Sequence, residues 1–255
     1  VLHVVSHWMQ FSCIHEKEGE MLMERLVELK EITVSFARKK NVLENLDFTF
    51  ERGKIYGLIG NNGVGKTTLL KVITGMISPV SGTVEFGERK PNVGVLIEKP
   101  GLYRDMNAFQ NLKAKCICLG LKKSKEEIKA LIELVGLQNA EKKRVRAYSM
   151  GMKQRLGIAM ALLGDPDFLV LDEPLNGLDP QGIADMRNLF AKIHEEREIT
   201  MLISSHILDE LVKTVTDICV MNHGNIIKSC TTEQFVEESG GMNLDEFYMK
   251  LIAGS

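Results

Sequence analysis

Apolar and polar positions alternate in short blocks over residues 26–59, with breaks such as Arg38-Lys39-Lys40-Asn41, a spacing that predicts β-strands and hairpins. The last of these blocks is the apolar run Ile55-Tyr56-Gly57-Leu58-Ile59, and after a glycine-rich interval Leu69-Leu70-Lys71-Val72-Ile73 opens a helix. From about 105 to 146 the chain becomes rich in Lys and Glu, with Ile128, Leu131, Ile132, Leu134 and Val135 at helical spacing. Met152, Leu156, Ala159, Met160 and Leu163 then predict a helix with one buried stripe. Phe168-Leu169-Val170-Leu171 reads as a continuous apolar strand. A helix marked by Ile183, Met186, Leu189, Phe190 and Ile193 follows, then a strand at Met201-Leu202-Ile203. Strand and helix in alternation predict a parallel sheet. Residues 217–221 and 226–228 flank Asn222-His223-Gly224-Asn225 as a hairpin, and 236–252 closes in helical segments. The expected organisation is a domain over 23–230, with a helical subdomain at about 105–164, followed by a helical tail over 231–255.

Residues 1–20 carry no alternation that continues into this domain, so 1–22 is expected to be an extension outside it. Glu16-Lys17-Glu18-Gly19-Glu20 uses residues with purine-rich codons and reads as a ribosome-binding site translated as protein, which places the expected start of synthesis at Met21 or Met23. The rival reading is a genuine tail.

Composition narrows the class. With 255 residues, 44% hydrophobic and 26% charged, the chain can bury one large core or two modest ones, and a disordered protein is excluded. Its longest apolar runs are strand-length, against the roughly 20 residues a membrane helix needs. A net charge of −2 weighs against a dedicated nucleic-acid surface. The mixed cluster Lys122, Lys123, Lys125, Glu126 and Glu127 reads as a solvated helix face. Cys13, Cys116, Cys118, Cys219 and Cys230 are scattered and odd in number, and Cys116-x-Cys118 has no second pair at zinc-site spacing. Free, buried thiols in a reducing cytoplasm are expected.

The candidate chemistry starts at Gly60-Asn61-Asn62-Gly63-Val64-Gly65-Lys66-Thr67, followed by Thr68, between a strand and a helix. Glycines allow successive backbone N–H groups to curl around phosphate oxygens, Lys66 reaches the terminal phosphates, and the Thr67 hydroxyl can hold magnesium. The helix N-terminus adds unpaired N–H groups and the positive end of a dipole, both of which favour an anion. A second element is Asp172-Glu173-Pro174, directly after the strand 168–171. A carboxylate at such a strand end suits the magnesium shell, and the next one can orient or deprotonate an attacking water. Glu173 is therefore the candidate catalytic residue, with helix capping as the structural alternative.

Tyr148-Ser149-Met150-Gly151-Met152-Lys153-Gln154 resembles the signature motif of ATP-binding cassette (ABC) proteins. Asn176-Gly177-Leu178-Asp179 resembles the D-loop of that family, and Ser204-Ser205-His206 its switch histidine. Five motifs thus fall in family order across about 26–230. The resemblance implies an α/β fold, with a P-loop NTPase core of the RecA-like kind, an antiparallel β subdomain and an inserted α-helical subdomain. It implies ATP and Mg2+ as cofactors, with Glu173, His206 and Lys66 catalytic and Thr67 and Asp172 at the metal. Two cassettes would dimerise head to tail, so that Ser149 and Gly151 of one chain meet the nucleotide on the loop of the other, with Asp179 beside them. Phe36 is the ring the resemblance offers for the adenine, with core packing as its rival.

Two departures refine this. Where the family carries a Gln, the segment Val95-Leu96-Ile97-Glu98-Lys99-Pro100 has Glu98, which can bind magnesium or water but donates no hydrogen bond when ionised. The signature also has Met150 and Met152 in place of the commoner residues. Both variants resemble the ATPase subunits of bacitracin- and lantibiotic-type exporters. That likeness implies separate integral-membrane permease subunits, a place on the cytoplasmic face of the membrane, expulsion of an antimicrobial peptide and no nucleic-acid partner. The rivals are a soluble cassette acting on nucleic acid or ribosomes and a regulatory cassette that senses without transport.

Overall fold

Nine strands and eight α-helices are described, besides two short 3₁₀ turns. In chain order they are β1 (Arg25–Val34), β2 (Leu43–Glu51), β3 (Ile55–Ile59), α1 (Lys66–Ile73), β4 (Ser81–Phe86) and β5 (Val93–Leu96). Then follow α2 (Ala108–Leu119), α3 (Lys125–Leu134), α4 (Met150–Leu162), β6 (Phe168–Asp172), α5 (Pro180–Arg197), β7 (Thr200–Ser205), α6 (Leu208–Val212), β8 (Asp217–Asn222), β9 (Asn225–Thr231), α7 (Thr232–Glu238) and α8 (Leu244–Ala253). This computed structural model describes residues 24–36 and 41–254. The expected start at Met21 or Met23, the 1–22 extension, Cys13 and Arg38-Lys39-Lys40 lie outside the described residues.

The strands build two sheets, and the fully buried ones all lie in the larger. Strands β2-β1-β4 make a three-stranded antiparallel sheet, while β5-β6-β7-β3-β8-β9 form a six-stranded one, parallel except for the β8–β9 hairpin. Strands β3, β6, β7 and β8 are buried at every position, as a parallel sheet covered on both faces requires. Consecutive side chains of β6 divide between two cores. Phe168 and Val170 join Phe50, Tyr56, Leu69 and Leu70 under the small sheet and α1, whereas Leu169 and Leu171 join Leu156, Phe190 and Ile203 on the helical side. In the first core the Phe50 and Tyr56 rings meet edge to face, with centroids 5.1 Å apart.

Helices α2 and α3 begin with reciprocal capping boxes, Asn107 with Gln110 and Ser124 with Glu127, which set where each helix starts. Helix α4 differs from the single stripe expected of it. Leu156, Gly157, Ile158 and Ala159 are buried in succession, while Met152 and Met160 are half-buried. The helix packs against β5 as well as α2 and α3, so tertiary burial surrounds it. A Cβ on Gly157 would stand 2.9 Å from Pro100 Cβ and 3.0 Å from Leu96 Cδ1, so only glycine admits the loop after β5 this close.

The C-terminal helix returns to the parallel sheet. The Asn222 amide donates to the Ile252 carbonyl at 3.3 Å, and Tyr248 is buried beside a cleft it shares with Ile59, Gly60, Asn61 and His206. The described cysteines are free, as expected. Cys116 and Cys219 are buried, with burial pushing the Cys219 thiol up to about 12, but Cys230 is half-buried and Cys118 is exposed. The expectation of buried thiols throughout is corrected at those two positions, because Cys118 sits on the solvent side of α2. None of the described helices is long and apolar enough to cross a membrane.

Candidate active site

Strand β3 delivers residues 60–65 to the N-terminus of α1. The helix starts after Gly65, whose φ of 113° no L side chain adopts easily, and no side chain caps its first turn. The unpaired N–H groups of that turn therefore face the cleft as an anion site. A cleft of about 220 Å³ is lined by Asn62, Gly63, Gly65, Lys66, Thr67 and Thr68 of the loop and helix, together with Val42 and Glu173. The buried Lys66 ammonium donates to the Gly60 carbonyl at 2.6 Å and lies 3.6 Å from Glu173 Oε1. A second cleft, about 640 Å³, abuts the other side of the loop at Asn61, Asn62, Gly63 and Val64.

The ends of β6 and β7 supply the other half of the site. Thr67 Oγ1 donates to Asp172 Oδ2 at 2.8 Å, so the helix hydroxyl and the strand carboxylate meet directly. Glu173 follows at φ 50°, a left-handed conformation costing a non-glycine residue roughly 1–2 kcal/mol. Its carboxylate Oε2 is hydrogen-bonded with His206 Nδ1 at 2.7 Å. Lys66, Thr67, Asp172, Glu173 and His206 are thus joined by side-chain contacts from three elements, with Lys66, Thr67 and Glu173 lining the phosphate cleft itself.

The remaining residues singled out from the sequence lie apart from it. Ser149 caps α4, accepting from the Met152 N–H at 3.3 Å, with Gly151 in the first turn and Met150 exposed beside it. Asp179 caps α5, accepting from the Gly182 N–H at 2.9 Å. Neither Ser149, Gly151 nor Asp179 lines the phosphate cleft of its own chain. Glu98 is bound 2.7 Å away by Lys71 of α1, and that contact holds its carboxyl below the usual range. Phe36, just beyond β1, is 46% exposed. Val42, which borders both clefts, had no signal in the sequence, and Ser204 was singled out only as part of the histidine motif, not for its contacts with both Asp172 and the backbone of Glu173.

A glycine loop feeding a helix N-terminus, faced by a strand-end carboxylate pair, defines a P-loop nucleotide hydrolase. Within that class the chain belongs to the ABC transporter family, whose sequence pattern matches residues 43–176. The bacitracin transport ATP-binding protein BcrA of Bacillus licheniformis is 40% identical over 215 residues, 81% of this chain and 70% of that one. The lantibiotic transport ATP-binding protein SrtF of Streptococcus pyogenes is 39% identical over 216 residues, 82% of this chain and 90% of its own. In fold, the chain matches a dimeric ATP-binding cassette solved in a post-hydrolysis state with ADP and Pi. The TM-score is 0.71 at 21% identity, over 81% of this chain and 99% of that one. The chain is an ATP-binding, ATP-hydrolysing subunit of an ABC transporter. A cassette acting on nucleic acid or ribosomes is not favoured beside relatives that are transport proteins.

Proposed function

We propose that this subunit drives the expulsion of a membrane-active antimicrobial peptide, of the bacitracin or lantibiotic kind, through separate integral-membrane permease subunits at the cytoplasmic face of the membrane. The names of its 39–40% identical relatives support that substrate class, and the Glu98 loop fits it. The observation that carries the ATPase mechanism is the Glu173 carboxylate, held between Lys66 and His206 at the mouth of the phosphate cleft.

In this reading Glu173 orients and deprotonates the attacking water, and His206 holds its carboxylate in place and contacts the γ-phosphate. Lys66 and the N–H groups of residues 61–68 neutralise phosphate charge. Magnesium fits the site: Thr67 and Asp172 offer hard oxygens in contact, and no cluster of three or more His, Cys, Asp or Glu among the described residues makes a competing cage. Bound there, the ion would polarise the transferring phosphoryl group. The cleft of one chain lacks Ser149, Gly151 and Asp179, which supports a homodimer closed by ATP, with those residues acting across it and Phe36 stacking on the adenine. Glu98 would contact the metal shell or pass motion to the permease.

Antimicrobial-peptide susceptibility of cells expressing the gene with its neighbouring membrane-protein genes, compared with the same genes carrying Glu173→Gln, tests this. Resistance that disappears with Glu173 is expected. Equal susceptibility of both strains and of the empty host would leave the ATPase and remove the peptide.

A further inference from the structure

Ser204 sits at the end of β7, opposite Asp172 in the parallel register, and is fully buried at 0% exposure. Its single hydroxyl makes two bonds at once: it donates to Asp172 Oδ1 at 2.5 Å and accepts from the Glu173 N–H at 2.9 Å. The other oxygen of Asp172 receives Thr67. Thr67 is also a prospective metal ligand, since its oxygen lone pairs can take a cation while its proton stays on Asp172 Oδ2, and the Ser204 bond on the far oxygen needs no change. The second bond falls on the residue whose backbone stands at φ 50°. A left-handed glutamate persists only where its surroundings fix it, and the Ser204 oxygen takes its N–H at that point.

We propose that Ser204 is a positioning residue that locks the orientation of the Asp172 carboxylate and the strained backbone of Glu173 into one unit, so that metal affinity and water activation are set together. This rests on the roles given above to Asp172 and Glu173. Buried from solvent, the serine acts through those two residues. Serine suits the position because one hydroxyl both donates and accepts, which alanine or valine cannot do.

The test uses the purified chain with ADP or ATP and Mn2+ as the probe ion. Ser204→Ala is expected to weaken Mn2+ binding in the ADP complex, read by electron paramagnetic resonance, by about tenfold, and to lower kcat by about tenfold or more. ADP affinity without metal should stay within about twofold. Amide hydrogen exchange at Glu173 should accelerate. Ser204→Thr, which keeps the hydroxyl, is expected to recover most of the metal affinity. Should the alanine variant not fold, Ser204→Cys keeps the volume with a weaker donor and is expected to fall between. Ser205→Ala serves as the control, since that hydroxyl only receives the Ile207 N–H at 3.0 Å; it should lose stability without losing Mn2+. The inference is overturned if Ser204→Ala and Ser205→Ala share the same Mn2+ affinity and turnover. A different failure, Asp172→Asn keeping full Mn2+ affinity and Glu173→Gln full turnover, would overturn the reading of the carboxylates beneath it.

Discussion

Two glutamates follow neighbouring strands of the parallel sheet, Glu173 after β6 and Glu98 just beyond β5, and both have a left-handed backbone, with φ of 50° and 64°. There the likeness ends. The Glu173 side chain is 22% exposed and fixed by three groups, Lys66, His206 and, through its N–H, Ser204. The Glu98 side chain is 67% exposed and has one charged partner, Lys71. The same backbone device is used for two purposes. Surrounded by buried strands it holds a reacting carboxylate still, and at the exposed edge of the sheet it starts a loop toward the inserted helices. Strain of this kind becomes preorganisation only where neighbouring groups over-determine it.

The contrast can be broken by substitution. Glu173→Gln should lower steady-state phosphate release by about 10²–10⁴-fold and let ATP accumulate on a dimer; elution as a monomer in gel filtration with ATP and Mg2+ would count against the ATP-closed pair. Leu171→Ala, removing a fully buried side chain behind Asp172, should cost about 2–5 kcal/mol in urea unfolding. Ile97→Ala, at a half-buried position on the Glu98 side, should cost less than about half of that. Equal losses would mean that the two strand ends are equally rigid. Glu98→Ala should leave ATP affinity within about twofold, because an exposed ion pair contributes little, while abolishing peptide protection in cells. A large fall in nucleotide affinity would instead make Glu98 a ligand.

The smallest effect is a titration. Because the Lys71 ammonium depresses the folded-state pKa of Glu98, the stabilisation from that pair is present above the ordinary carboxylate range and is lost as pH falls through the depressed value. Carboxyl NMR should find Glu98 titrating below an ordinary glutamate in the native chain and near the ordinary value in Lys71→Met.

Much of this was legible beforehand because it is written in contiguous residues. The runs 55–59 and 168–171 announced buried parallel strands, and the spacing of Gly60, Gly63, Gly65, Lys66 and Thr67 announced the phosphate loop. What escaped has no local signature. The bonds from Ser204 to Asp172 and Glu173 span 32 and 31 residues, and nothing in the alternation of β7 marks one serine as a bridge. The pairing of Glu98 with Lys71 is likewise set by where the loop after β5 passes α1, 27 residues away in the chain. Helix α4 misled through its periodicity, since a helix packed on several sides buries positions an amphipathic pattern assigns to solvent. Cys118 misled through composition: cysteine is commonly buried, but here it follows the exposed Ile117 on the outer side of α2.

The seat of the C-terminal helix has a practical consequence. With Tyr248 and Asn61 lining one cleft and Ile252 hydrogen-bonded to Asn222 at the end of β8, α8 is seated beside the nucleotide loop. An affinity tag, fluorescent protein or surface tether attached behind Ala253 therefore pulls beside the loop that holds the phosphates. Force applied there in a single-molecule experiment would be read as a change in nucleotide lifetime before any strand unravels.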